Sequence, residues 1–123
     1  MAEAKVLQMS FAKVYGLLVS KAEKKGRTRA EVDTVTCWLT GYTQPELDNL
    51  LASDATYGDF LRQAPKPNPD RVLIRGVVCG VRVEEVTDPL MRKARYLDKL
   101  VDELAKGKPL EKVLRTSGTA SGM

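Results

Sequence analysis

Apolar residues recur at helical spacing along most of this chain. Phe11, Val14, Tyr15, Leu18 and Ala22 form one stripe from Ser10 to about residue 25, the three-and-four repeat of a helix with one buried face. Gly26 then supplies a left-handed stop. A second helix is predicted from Thr28 to Gly41, with Val32, Val35, Trp38 and Leu39 inward. A third starts at Thr43, carries Pro45 in its first turn, where proline costs little, and buries Leu47, Leu50 and Leu51. A short fourth spans Tyr57 to Gln63, offering Tyr57, Phe60 and Leu61. Ala64-Pro-Lys-Pro-Asn-Pro69 breaks any helix and is the clearest linker. The strongest pattern is Pro89 to Ala105, with Met91, Ala94, Leu97, Leu100, Val101 and Leu104 inward; Asp88-Pro89 opens it and Gly107 ends it. Pro109 starts a last short helix through Leu110, Val113 and Leu114.

The stretch Arg71 to Val86 reads two ways. Its valines and two glycines favour a strand by propensity. Its spacing favours a helix: Leu73, Val77 and Val81 align, as do Ile74 and Val78, while Arg71, Arg75, Arg82 and Glu85 keep to another face. Strict alternation fails at Val77-Val78, and Asn68-Pro69-Asp70 is a good helix start. The prediction is therefore a helix over 70–86, with Gly76 and Gly80 as a bare strip that lets a neighbouring helix approach. The fold class expected is all-α: a compact single-domain bundle of about five to seven short helices. It covers residues 10–115, between a flexible N-terminus at 1–9 and a disordered tail at 116–123, which has little apolar content to bury.

Composition agrees with this class. A length of 123 residues suits one domain. The longest apolar run, Gly76 to Val81, is far below the ~18 residues of a membrane span. The opening Met-Ala-Glu-Ala-Lys lacks the apolar stretch of a secretory signal. Two cysteines, Cys37 and Cys79, are too few for a disulfide framework and suit a reducing compartment, so a cytoplasmic location with no membrane contact is expected.

Charge adds a pattern of its own. The net charge is +4, yet residues 31–60 hold six acids and no base, while residues 1–30 hold seven bases against two acids. Helix ends account for much of this banding. Thr28-Arg-Ala-Glu31, Thr43-Gln-Pro-Glu46 and, with a shorter acid, Thr56-Tyr-Gly-Asp59 read as capping boxes that put a carboxylate in each first turn. Lys21, Lys24, Lys25 and Arg27 fall at the opposite kind of site, a helix C-terminus.

Candidate chemistry is sparse. The chain has no histidine, which removes the usual neutral-pH base and the commonest metal ligand. Cys37 and Cys79 stand too far apart in sequence for a Cys-x-x-Cys zinc pair and read as small packing residues. Trp38 reads as a core anchor. No catalytic residue, metal or cofactor is expected. Gly76-x-x-x-Gly80, flanked by Arg75 and Arg82, could cradle a phosphate, but it has neither the dinucleotide nor the P-loop spacing. Glu84, Glu85 and Asp88 form an acidic knot after Arg82, in which Asp88 is better read as the cap before Pro89. The candidate ligand or interface site is therefore Arg75, Gly76, Gly80, Arg82, Glu84 and Glu85.

Two blocks resemble a known family. Met9-Ser-Phe-Ala-Lys-Val-Tyr15 continues to Lys21-Ala-Glu-Lys-Lys-Gly-Arg-Thr28 and Cys37-Trp-Leu-Thr-Gly-Tyr42. Later come Gly76-Val-Val-Cys-Gly-Val-Arg-Val-Glu-Glu-Val86, Asp88-Pro-Leu-Met91 and Arg95-Tyr-Leu-Asp-Lys-Leu-Val-Asp-Glu-Leu-Ala-Lys-Gly107. Over about residues 9–115 these resemble the small bacterial proteins of domain-of-unknown-function family 2200. The resemblance implies a compact all-helical fold, including a helix at 70–86, and implies no activity, cofactor or catalytic residue. It departs at Gly16, where the family pattern has proline after the tyrosine.

Three functions follow as expectations. The first is an interaction or oligomerisation module, meeting an unidentified protein partner or a second copy through the glycine-bearing helix. The lesser ones are a basic nucleic-acid-associated protein and an enzyme or binder acting on a small anionic ligand through residues 75–88, with Arg75, Arg82, Glu84 and Glu85. Helices joined by Lys24-Lys-Gly-Arg27 superficially suggest a helix-turn-helix, but the second begins with acids, where a recognition helix offers donors. A binding role is favoured over an enzymatic one.

Overall fold

Short polar side chains set where the helices begin. In a computed structural model that describes residues 2–115, Thr28, Thr43 and Thr56 each accept the amide proton of the residue three positions on. Glu31, Glu46 and Asp59 accept the cap's own amide in return. These three capping boxes open α3 (Arg29–Thr40), α4 (Gln44–Leu51) and α5 (Tyr57–Arg62). Ser10 caps α2 (Phe11–Glu23), Asp88 caps α6 (Pro89–Ala105), and α7 spans Leu110–Val113. The expected tail at 116–123 lies outside the described residues.

One helix has no counterpart in the hydrophobic pattern. Residues 1–9 read as a flexible start, yet Ala2–Gln8 form α1. Val6, Leu7 and Met9 are partly buried against the core. The Tyr57 amide donates to the Met9 carbonyl (2.8 Å), and the Phe11 amide to the Ala55 carbonyl (2.9 Å), which ties the chain start to the entry of α5. The α2 helix runs unbroken through Gly16.

The core forms around α6, against which α2, α3, α5 and α7 pack. Leu97, Leu100, Val101 and Leu104 are fully buried. Beside them the Phe11 and Phe60 rings stack with centroids 4.0 Å apart, and Tyr42 stacks on Phe60 at 5.2 Å. Each such pair adds about 0.5–1.5 kcal/mol beyond the area it buries. Trp38 is only half-buried, packed against the outside of this core. No helix among the described residues is long and apolar enough to cross a membrane.

The fold class is helical, with seven α-helices among the described residues, but the helix expected over 70–86 is absent. Pro69–Leu73 form a 3-10 turn, Val77–Val78 (β1) pairs antiparallel with Val81–Arg82 (β2), and Val83–Glu85 form a second 3-10 turn. Strand propensity prevails over spacing. The aligned set Leu73, Val77 and Val81 is largely outside, while Ile74, Val78 and Val83 are the buried ones. The two-residue link Cys79-Gly80 has positive φ at both positions, 53° and 75°, the geometry of the hairpin turn that follows strand twist. Gly76 (φ 111°) is equally incompatible with a right-handed helix. A Cβ at Gly80 would meet nothing within 4 Å, so Gly76 and Gly80 form no bare packing strip.

The close backbone approach occurs instead at Gly41, which ends α3 with φ 82°. A Cβ there would lie 2.6 Å from the Lys66 carbonyl oxygen. The alternation Pro65-Lys-Pro-Asn-Pro69 leaves two amide donors, and both are used: Lys66 N–H binds the Thr40 carbonyl and Asn68 N–H the Leu39 carbonyl, each at 3.0 Å. The expected linker is thus a strap that satisfies the last carbonyls of α3.

Three glycine substitutions separate these roles in urea melts. Gly41→Ala should cost more than about 2 kcal/mol, combining left-handed strain with a backbone clash. Gly80→Ala should cost only the ~1–2 kcal/mol of left-handed backbone. Gly16→Ala, in mid-helix with nothing within 4 Å of the added Cβ, should stabilise by about 0.5–1 kcal/mol. A Gly41→Ala loss no larger than that of Gly80→Ala contradicts the strap contact.

Candidate functional site

The β1–β2 hairpin brings most of the sequence-nominated residues together. The Gly76 amide donates to Glu84 Oε1 (3.0 Å), and the Val83 amide to the Gly76 carbonyl (2.8 Å), which closes the loop. Arg82 lies 3.7 Å from Glu84 and 3.8 Å from Glu85. Accepting the Gly76 amide, above all, holds the Glu84 carboxyl below its usual range. Arg75, Arg82, Glu84 and Glu85 are all exposed, and Gly80 stands apart in the turn. This is an outer surface with both signs of charge. Asp88 does not join it; its carboxylate accepts the Leu90 amide (3.0 Å) as the α6 cap.

A second cationic group, not nominated by the sequence, lines a surface cavity of about 290 Å³: Arg71, Arg92 and Lys93, with Val72, Pro89 and Tyr96. Arg92 Nε donates to the Tyr96 hydroxyl (2.9 Å), and its guanidinium lies 5.8 Å from that ring's centroid. Arg71 Nη1 donates to the Asn68 carbonyl (2.9 Å). The local signal was the Arg92–Tyr96 spacing of four on one helix. That Arg71 joins them is a tertiary fact.

Of the basic cluster near Gly26, Lys21 and Arg27 are engaged within the fold, while Lys24 and Lys25 are exposed. Arg27 Nη1 donates to the carbonyls of Leu104 (3.0 Å) and Lys108 (2.7 Å), while Nε and Nη2 grip Glu31. One side chain thus caps the C-terminus of α6 and pins the N-terminus of α3 to it. Lys21 pairs with Asp102 at 3.2 Å. Arg27 first, then the Thr28 amide, lowers the Glu31 carboxyl to about 2.

Two buried phenols contrast with each other. Tyr15 donates to Asp33 Oδ1 (2.5 Å), whose other oxygen accepts from Gln44 Nε2 (3.1 Å). Burial, then Asp33, holds the Tyr15 hydroxyl protonated. The Tyr57 hydroxyl is buried with no protein partner among the described residues. Cys37, near the same carboxylates, has its thiol pushed up by burial first and by Asp33 next. That opposes the thiolate a nucleophile needs.

Compared with known proteins, residues 5–115 match the model of a family described as an uncharacterized protein conserved in bacteria (DUF2200). A solved structure, the crystal structure of uncharacterized protein SP1917, is 53% identical. It covers 89% of this chain and 90% of its own, with a TM-score of 0.87. No curated protein matches the chain.

Two outcomes check these assignments. Glu31 is depressed in the folded state, so its contribution is complete above the unfolded carboxyl value of about 4.3 and is lost as pH falls towards about 2. Thermal melts should fall across that window, and Glu31→Gln should flatten the fall. Tyr15→Phe should cost about 1–3 kcal/mol by stripping one oxygen of a buried carboxylate of its hydroxyl donor, whereas Tyr57→Phe should be neutral or mildly stabilising. Equal losses for the two tyrosines contradict the partner assignment.

Proposed function

We propose, for a chain that belongs to the DUF2200 family of uncharacterised bacterial proteins, that it is a self-associating module whose contact face is the stretch from Val72 to Glu85. One observation carries this reading. The exposed large apolar side chains among the described residues are Leu17 (61%), Val72 (56%), Leu73 (37%) and Val77 (47%), and three of these four fall within one six-residue stretch. Single exposed leucines are ordinary, whereas a local group of apolar side chains rimmed by polar ones marks a contact surface.

The rim favours a second copy as the occupant. A two-fold contact sets residue i against j and j against i. Here Arg75 and Arg82 stand on the same small surface as Glu84 and Glu85, so a two-fold contact can set the basic groups of each copy against the acidic groups of the other. The contact lies on a loop and hairpin, in place of the glycine-bearing helix expected from spacing. Stable interfaces bury roughly 800 Å² per partner, and a patch centred on three side chains is smaller, so the dimer is a weak one.

Light scattering over a range of concentrations tests this. The average mass should climb from the 13.6 kDa monomer towards twice that value. A Leu73→Asp/Val77→Asp double variant should hold it at the monomer, and Leu17→Asp should leave the climb unchanged. A constant monomer mass, or a climb abolished only by Leu17→Asp, overturns the reading.

A further inference from the structure

The cavity between the 3-10 turn at Pro69–Leu73 and the start of α6 carries cations without counter-charges. Arg71, Arg92 and Lys93 are all half-buried. Among the described residues, none of the three has a carboxylate oxygen within 4.0 Å. Nine of the seventeen other basic side chains have such a partner, among them the half-buried Arg27, Arg95 and Arg115. Two of the three are also held in place: Arg71 by the Asn68 carbonyl and Arg92 by the Tyr96 hydroxyl. Lys93 Nζ rests 3.5 Å from the Leu61 carbonyl. Asp88, next to Pro89 in the chain, is engaged as the α6 cap. Partly desolvated charges of one sign, fixed around one cavity, are compensated by a ligand of the opposite sign.

We infer that this cavity binds a phosphate monoester carried on a small apolar or aromatic body. The charge count separates phosphate from carboxylate. A carboxylate has two oxygens, which a single guanidinium fork satisfies. A phosphoryl group has three terminal oxygens and a charge of about −1.5 to −2 near neutral pH, which suits two guanidinium groups and one ammonium. The remaining walls, Val72, Pro89 and the Tyr96 ring, are apolar. A volume of about 290 Å³ is at the small end of ligand sites, so the body is of single-ring size. This differs in place from the anion site expected at Arg75 and Arg82, where Glu84 and Glu85 already supply the negative charge. The cavity shares Val72 with the self-association face, while its three cations, Arg71, Arg92 and Lys93, lie outside that stretch.

Calorimetric titration of the full chain with phenyl phosphate, inorganic phosphate and succinate decides the matter. Phenyl phosphate should bind saturably, tighter than about 1 mM, and more weakly as salt rises. Inorganic phosphate should bind less tightly for want of a body, and succinate least. Arg92→Gln and Lys93→Gln should each weaken phenyl phosphate at least about tenfold, and Arg75→Gln should leave it unchanged. If Arg92→Gln loses its fold along with its Tyr96 contact, Lys93→Gln carries the test. A neutral Leu73→Gln/Val77→Gln variant, which weakens the contact face without adding a carboxylate beside Arg71, should bind as the unmodified chain does, so failure of dimerisation and failure of this site are read separately. No saturation at about tenfold above that concentration overturns the assignment. Equal weakening by Arg75→Gln, or succinate binding as tightly as phenyl phosphate, overturns it too.

Discussion

Burial of one face of α6 is the constraint on which the other elements depend. Its buried residues include Met91, Ala94, Leu97, Leu100, Val101 and Leu104, and α2, α3, α5, β1 and α7 all lie against it. The surrounding helices are short, between four and thirteen residues. Isolated helices of that length are marginal in water, and most of their stability comes from packing an apolar face. Because α6 is the shared partner, its own ends must be fixed. Asp88 fixes one, and Arg27, reaching from the α2–α3 connection to the Leu104 and Lys108 carbonyls, fixes the other.

Charge in this protein is mostly architectural. The acidic band of residues 31–60 supplies the carboxylates of three capping boxes and the acceptor for Tyr15. On the basic side, Lys21 and Lys106 share Asp102, and Arg115 and Lys108 share Glu103. The capping-box carboxylates stand at helix N-termini, where the dipole favours them, whereas Asp102 and Glu103 stand in the last turn of α6, where it does not, and the four bases offset them. Arg71, Arg92 and Lys93 are half-buried around one cavity without a carboxylate partner, unlike Arg27, Arg95 and Arg115.

Both surfaces of functional interest depend on the irregular chain between α5 and α6. Val72 and Arg71 border Arg92 and Tyr96, and the Val77 carbonyl accepts from Lys99 Nζ (3.2 Å). Arg92, Tyr96 and Lys99 follow at spacings of four and three, so they share one stripe of α6. The segment from 69 to 86 therefore lies along a helix that is rigid by burial, while its own exposed valines and arginines are held in place by turns. A loop supported by a fixed scaffold is where binding residues concentrate.

The helix boundaries were legible in the sequence because they rest on contacts three or four residues apart. Thr28 with Glu31, Thr43 with Glu46, and the apolar stripes of α2 and α6 need no distant partner. At Gly76 and Gly80 the local pattern points to the wrong element. A spacing of four fits a helical face, but the buried residues turned out to be Ile74, Val78 and Val83, and Cys79-Gly80 makes a turn without the asparagine or aspartate that usually signals one. Local sequence also could not say that Gly41 meets Lys66, that Arg27 reaches the end of α6, or that Arg71 joins Arg92 and Lys93 around one cavity. Those contacts connect positions tens of residues apart, and their energies exist only once the core has brought the elements together.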